Sequence, residues 1–219
     1  MCYTNNKNSA ADMFWLAGRG IMASDKYYMK GDESFGLISS LGYYMIIHLP
    51  SVREFYRFVV DDLEHAGNSD VLDVGTGPAD VPKALAQSGV FRHIYAVDPS
   101  EGMLRIARRR TKGLGINFSK GSSRHLGLKR KFGLITTAMS FHAWPDKAQS
   151  LRYLSRFLGK GGKIMIYEME RKRLSGTRRL VLATHAVSEN EVREAAKGAG
   201  LRVSGIKRQK SFIRVTIVK

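Results

Sequence analysis

Cysteine is all but missing from this chain of 219 residues. The only one, Cys2, lies in the opening tail. That excludes an internal disulfide and any cysteine-rich metal cluster, and it suits a reducing, intracellular setting, so a cytoplasmic location is expected and no metal site. A long apolar run is missing too. The longest, "FGLISSLGYYMIIHLP", covers 16 residues, short of the ~20 that a membrane-spanning helix needs. The opening "MCYTNNKNSAAD" has no basic head followed by an apolar stretch, so it does not read as a secretory signal. Acids are scarce: 19 Asp and Glu stand against 36 Lys and Arg, a formal net charge of +17. The imbalance is uneven. Residues 1–70 hold 6 basic and 9 acidic side chains, residues 71–219 hold 30 and 10. Such a charge favours anionic partners such as RNA, DNA, phosphorylated metabolites or acidic lipid surfaces, and it equally serves as a solvated basic surface.

What is present fits one globular domain with a buried core: 43% of the residues are hydrophobic. Residues 1–12 read as a frayed tail and 13–49 as short helices. In "PSVREFYRFVVDDLEHAG", Val52, Phe55, Tyr56, Val59, Val60 and Leu63 recur at helical spacing, opened by Pro50 and Ser51 and closed by Gly67. From residue 70 short apolar runs alternate with helical stretches. Strands are expected at "DVLDVG", "HIYAVD", "INFSKG", "FGLITTAMSF" and "KIMIYEME", and two more in "LRVSGIKRQKSFIRVTIVK". Helices are expected at "DVPKALAQSG", "SEGMLRIARRRTKG", "DKAQSLRYLSRFLGKGG" with a glycine stop, and "SENEVREAAKGAG" with Ser188 as N-cap. This alternation predicts an α/β fold: a doubly wound, Rossmann-like sheet of seven strands, mostly parallel, with an antiparallel last strand. Residues 68–219 make that domain, and residues 1–67 a tail and small helical cap over the ligand site.

The turn "VLDVGTGPAD" (71–80) occupies the place where such a sheet binds ligands. It lacks the third glycine of a dinucleotide fingerprint, because Asp80 fills that position, and the lysine-bearing phosphate loop is absent. Asp73 just before the loop is a poor neighbour for pyrophosphate and a good one for a ligand carrying an ammonium and a sulfonium. Asp98, ending the second run, can accept hydrogen bonds from two ribose hydroxyls. A nucleoside without phosphates and with a cationic tail is implied, which is the composition of S-adenosylmethionine.

Four motifs in order now resemble the class I S-adenosylmethionine-dependent methyltransferases, over residues 68 to 219. "VLDVGTGPAD" is similar to the first motif, with Ala79 where a third glycine is common. "AVDPSEGMLRIAR" resembles the second, "LGKGGKIMIYE" the loop before the fifth strand, and "SENEVREAAKGAGL" the late helix. "SFHAWPD" most resembles the branch that includes quinone-biosynthesis methyltransferases. The resemblance implies S-adenosylmethionine as cofactor, held by Asp73, Gly75, Thr76, Gly77, Asp98, Pro99, Met103, Ser122, Ser123 and Met139. Ser122 stands where many members carry an adenine-binding Asp, and "FG" where many have Phe-Asp.

Methyl transfer from a sulfonium depends mostly on holding donor and acceptor in line, and a base is needed only if the acceptor must lose a proton. His142 is the candidate base or orienting group, weighed against a capping or packing role because the sequence shows no partner for it. Glu168 is a second candidate, His185 is unassigned, and Trp144 and Phe141 are expected as pocket walls. The resemblance argues against exocyclic-nitrogen and C5-pyrimidine methylation, since the Asn/Asp-Pro-Pro-aromatic stretch and a nucleophilic cysteine are both missing. "RKRLSGTRR" (171–179) and "KRQK" (207–210) should lie at the ligand end of the sheet, "LKRK" (128–131) at the other, and the arginines of "RIARRR" in solvent. The expected function is methyl transfer to a small-molecule acceptor, anionic or lipid-like. The alternatives are an RNA methyltransferase, or a non-catalytic cofactor- or RNA-binding module.

Overall fold

A computed structural model describes residues 50–67, 70–176 and 185–219. The expected tail (1–12) and short helices (13–49) lie outside the described residues. The elements run α1 (Pro50–Glu64), β1 (Val71–Val74), α2 (Asp80–Ser88), β2 (Ile94–Asp98), α3 (Glu101–Arg110), β3 (Asn117–Lys120), β4 (Phe132–Ala138), α4 (Lys147–Ser155), β5 (Leu158–Glu170), β6 (Ala186–Val187), α5 (Glu189–Gly198), β7 (Arg202–Gln209) and β8 (Phe212–Val218). Strand order is β3-β2-β1-β4-β5-β8-β7, with β6 beside β5. Pairs from β3 to β5 are parallel, while β8 is antiparallel to both β5 and β7. The seven expected strands form, with the last one antiparallel. The two-residue β6 is an eighth, too short to leave an apolar run in the sequence.

Alternation along β1 shows how the sheet is covered. Leu72 and Val74 belong to one core with Leu151 and Leu154 of α4 and Val192 and Ala196 of α5. Val71 belongs to the other, with Phe55, Val59 and Leu63 of α1 and Val81 and Leu85 of α2. All four residues of β1 are buried, as in a sheet covered on both faces. One boundary differs from expectation. Helix α4 stops at Ser155 rather than at the glycines, because Gly159, Gly161 and Gly162 already belong to β5; a Cβ on Gly162 would meet the Phe132 carbonyl at 2.9 Å. Helix α1 packs in one hydrophobic cluster with the sheet and α2.

A buried ion cluster docks α1. Asp62 Oδ2 accepts from the Tyr167 hydroxyl (2.8 Å) and Arg214 Nε (3.1 Å), and Oδ1 accepts from Lys207 Nζ (2.6 Å). Burial alone would raise the Asp62 pKa; the Lys207 and Tyr167 hydrogen bonds and the Arg214 charge outweigh it and hold the carboxyl below its ordinary value. A depressed folded pKa contributes stability above the unfolded value and loses it as pH falls through the folded one. Asp62→Ala should therefore cost about 2 kcal/mol at pH 7 and less below pH 4, and Tyr167→Phe about 1 kcal/mol. Urea denaturation at the two pH values reads both, and a pH-independent Asp62→Ala cost would contradict the account.

Candidate functional site

Strands β2 and β3 lie on one side of β1, and β4 and β5 on the other. The loops after β1 and β4 therefore diverge at the carboxyl edge and leave a cleft there.

Nine of the eleven expected site residues line this cleft: Gly75, Gly77, Asp98, Pro99, Met103, Ser122, Ser123, Met139 and His142. Val74, Ser140, Ala143 and Trp144 complete it; of these the sequence pointed to Trp144 alone. Phe141, expected as a wall, is fully buried in the core below. Asp73 and Thr76 lie beneath the lining rather than on it, 2% and 7% exposed.

The glycine loop is shaped by its own bonds. Gly75 and Gly77 have φ of 74° and 52°, and Ala79, at the usual place of a third glycine, adopts 65°. The backbone N–H groups of Gly75 and Thr76 both donate to the Val97 carbonyl. Asp98 Oδ2 accepts from Gly77 N–H and Oδ1 from Ser100 N–H, each at 2.8 Å, so this carboxylate joins the loop to the end of β2. Arg110, expected in solvent, instead clamps the start of α2: it donates to the Pro78 carbonyl (2.7 Å) and to both oxygens of Asp80. At Gly75 a Cβ would stand 2.0 Å from Ser140 Oγ, and Trp144 Nε1 donates to that hydroxyl at 3.3 Å. Glycine is thus required at 75 by the neighbouring loop as well as by its φ. Ser123 and Ser150 hydroxyls bond at 2.8 Å, and Ser122 Oγ accepts from Arg124 N–H.

Asp73 is electrostatically exceptional. Its Oδ1 is buried and has no hydrogen-bond partner among the described residues. Burial pushes its pKa up to about 7, with the Asp98 charge adding to burial and the neighbouring Thr76 hydroxyl opposing it.

The other end of the cleft corrects the reading of His142 as a histidine without a partner. β4 ends in a sharp turn at Met139 (φ 53°), whose N–H donates to the Tyr167 carbonyl of β5. The following turn, Phe141–Ala143, sets His142 over Glu168 of β5. Glu168 is fully buried; its Oε1 accepts from His142 N–H at 3.0 Å, and its Oε2 lies 3.2 Å from His142 Nδ1. His142 Nε2 lies 3.2 Å from His185 Nδ1. Burial alone would lower the His142 pKa, but the Glu168 carboxylate outweighs it and raises it; His185 is lowered by burial and by the His142 charge. No three His, Cys, Asp or Glu side chains among the described residues are grouped to hold a metal.

The basic clusters are in place but engaged. Arg171 pairs with Glu191, Arg173 and Arg208 with Glu170, Lys207 with Asp62, and Lys210 with Glu54. Residues 177–179 of the first cluster lie outside the described residues.

Comparison with known proteins places this geometry. Residues 71–162 match the family described as "Methyltransferase domain". A demethylmenaquinone methyltransferase of Thermotoga maritima is 32% identical over 112 residues, 51% of this chain and 48% of that protein. The uncharacterized methyltransferase YdaC of Bacillus subtilis is 26% identical over 50% of this chain and 61% of its own length. The chain thus spans about half to three-fifths of these relatives. Among solved structures, a SAM-dependent methyltransferase from Aquifex aeolicus superposes with a TM-score of 0.67 at 21% identity, covering 84% of this chain and 98% of that one.

A raised folded pKa costs stability progressively as pH rises from the unfolded carboxylate value to about 7. Asp73→Asn removes that cost. It should stabilise the ligand-free protein by a few kcal/mol at pH 8 and by almost nothing at pH 4. Denaturation of both proteins at both pH values checks this; equal stabilities at pH 8 would mean that Asp73 is not a strained acid.

Proposed function

We propose that this chain, which belongs to the class I S-adenosylmethionine-dependent methyltransferase family, transfers a methyl group from S-adenosylmethionine to a small-molecule acceptor in the cleft between the β1 and β4 loops. The observation that carries the reading is the buried, unpartnered Asp73 Oδ1 beneath the glycine loop. Burying a carboxylate without a partner is costly, and a cationic ligand seated above it would offset the cost. The residues present fit such a group. Asp73 supplies the charge for its ammonium end, the Gly75–Gly77 loop its support, and Met103, Pro99 and Ser122 the walls for its base. Asp98, whose oxygens accept the Gly77 and Ser100 N–H groups, lies at the cleft wall as an acceptor for a ribose hydroxyl. When bound, the cofactor supplies a methyl carbon on a cationic sulfur and leaves as a neutral thioether.

Met139 and Trp144 beside His142 give the acceptor end apolar and aromatic walls, which suits a flat, apolar acceptor of the kind named for the quinone-type relatives. The RNA alternative is less well supported, because Arg171, Arg173, Lys207, Arg208 and Lys210 already face carboxylates. The ion pair between Lys210 at the hairpin tip and Glu54 brings the start of α1 to the ligand end of the sheet. The start of α1 at that end supports the reading of the segment before it as a cap over the cofactor. The lone cysteine suits work in the cytoplasm.

Titration calorimetry with S-adenosylhomocysteine tests this. The wild-type protein should bind, Asp98→Ala should weaken binding at least about tenfold by removing a charge-assisted acceptor, and Gly75→Arg should abolish it. Affinity should tighten as pH rises through about 7, where Asp73 ionises, and Asp73→Asn should lose that dependence. A wild-type protein that binds neither S-adenosylmethionine nor S-adenosylhomocysteine would end the reading.

A further inference from the structure

Glu168, His142 and His185 form a continuous file from the buried end of β5 to the surface beside the cleft. We propose, resting on the function above, that this file is the proton acceptor of the reaction, and that the substrate class is therefore a hydroxyl compound, such as a phenol or quinol, that must lose a proton as it is methylated.

Hydrogen-bond chemistry fixes the order of the file. An ionised carboxylate only accepts, so His142 Nδ1, 3.2 Å from Glu168 Oε2, carries the hydrogen. In the neutral ring Nε2 is then left with its lone pair. That lone pair faces His185 Nδ1 at 3.2 Å, and His142, unlike His185, also lines the cleft. Its main-chain N–H is bonded to the same Glu168 carboxylate, so ring and backbone are oriented by one buried group. His142 is the group placed to touch substrate. Glu168 is a positioning residue that also stabilises the imidazolium, and the exposed His185 carries the proton out. In the step, the acceptor O–H bond breaks, its electron pair stays on oxygen and becomes the bond to the donated methyl, and the proton goes to His142 Nε2. His185 Nδ1–H occupies that nitrogen between turnovers and yields it to the acceptor hydroxyl; its exposed ring then exchanges through solvent to the Nε2–H tautomer, so that its Nδ1 lone pair takes the proton from His142 Nε2 while its own Nε2–H is lost to water.

The charged groups around His142 allow the pH response to be signed. Glu168 faces it from β5 and His185 from beside β6. Lys147 of α4 donates to the His142 carbonyl at 3.2 Å and opposes protonation. Glu191 of α5 lies 3.4 Å from Lys147 and favours protonation. The net direction for His142 is upward and for His185 downward, so a proton held by the pair rests on His142. His142 accepts only when neutral, so transfer should rise with pH through its raised pKa.

The test combines NMR titration of the histidine rings, with S-adenosylhomocysteine bound, with methyl transfer from labelled S-adenosylmethionine to catechol and to 1,4-naphthohydroquinone. In the wild type, His142 should titrate above the ordinary histidine value and label should enter at least one probe. E168Q can still accept the His142 N–H. It should move the His142 titration and the acid limb of kcat to lower pH, and cut kcat about tenfold with KM and cofactor affinity unchanged. His185→Asn, at an exposed position, should slow transfer several-fold without changing cofactor affinity, and it serves where E168Q does not fold. An acid limb that E168Q or His185→Asn leaves in place at full rate would overturn the inference, as would cofactor binding with no transfer to either probe. Absence of cofactor binding in the wild type would remove the proposed function itself, a result distinguishable from both.

Discussion

Strands are added to both sides of β1, and the loops that leave β1 and β4 consequently part at the carboxyl edge of the sheet. The cleft exists because of that reversal, but keeping it shaped takes further bonds. Asp98 accepts N–H groups from Gly77 and Ser100 and so fixes the glycine loop against β2. Arg110 holds the loop's far side through Pro78 and Asp80. Across the gap, β4 ends on Met139 with a left-handed backbone, a conformation costing roughly 1–2 kcal/mol in a residue with a side chain. Ala79 carries the same kind of strain on the β1 side. Both residues sit in packed surroundings that over-determine them, as strained positions near functional sites generally do. The Ser140 side chain stands between the two rims, against Gly75.

Charge in this protein is arranged more economically than its excess of 17 suggests. The cations at the ligand end of the sheet were the reason to expect an anionic partner. In the fold they meet Asp62, Glu170, Glu189, Glu191 and Glu54, acids drawn from α1, β5 and α5. Asp62 and Glu170 are buried beneath their cations, whereas the pairs at Glu54, Glu189 and Glu191 are more exposed and each contributes little to stability. Each pairing also reduces the positive charge that its cation would present to a polyanion. The same acids explain why a mostly basic chain can build a cleft whose own ionisable groups are carboxylates and histidines.

Much of the scaffold was legible, because period-2 and helical patterns are written in buried side chains. Val71 to Val74 and the Phe55, Val59, Leu63 stripe read directly as strand and helix. Spacing likewise put Gly75, Gly77, Asp98 and Met103 in one site, since successive strand–helix units of a parallel sheet return to the same edge. Three things were hidden. β6 is two residues long and held by pairing with Met169 and Glu170, so it has no pattern of its own. Arg110 looked solvated, because nothing local in "RIARRR" marks which arginine reaches a carboxylate 30 positions away. The partner of His142 was hidden in register. Ala138 pairs with Tyr167, which places Glu168 just past the end of β4, beside the turn that carries the histidine. A hydrophobic pattern specifies which face a residue takes, but a parallel pair's register depends on loop lengths and bulges, such as the shift between Phe132 and Leu134.

Two fully or nearly buried carboxylates border the same cleft, and their contrast indicates how its halves divide the work. Glu168 is satisfied within the protein, by a backbone N–H and an imidazole. Asp73 keeps an oxygen without a partner and is pushed towards neutrality. Folding alone favours arrangements like the first and removes arrangements like the second, because an unpartnered buried acid is costly. An acid retained in the second state, at the carboxyl end of β1 and below two left-handed glycines, is accounted for when its counter-ion arrives with a ligand. The cation then gains more from Asp73 than it would from a carboxylate already paired, since no internal bond has to be broken first. An internally paired acid at the other end has the opposite property: its partners are in place before any ligand enters, and they orient an imidazole beside the cleft. In the proposed reaction, binding and proton handling are therefore separated by whether each carboxylate was left a partner, and β4 stands between the strands that carry them.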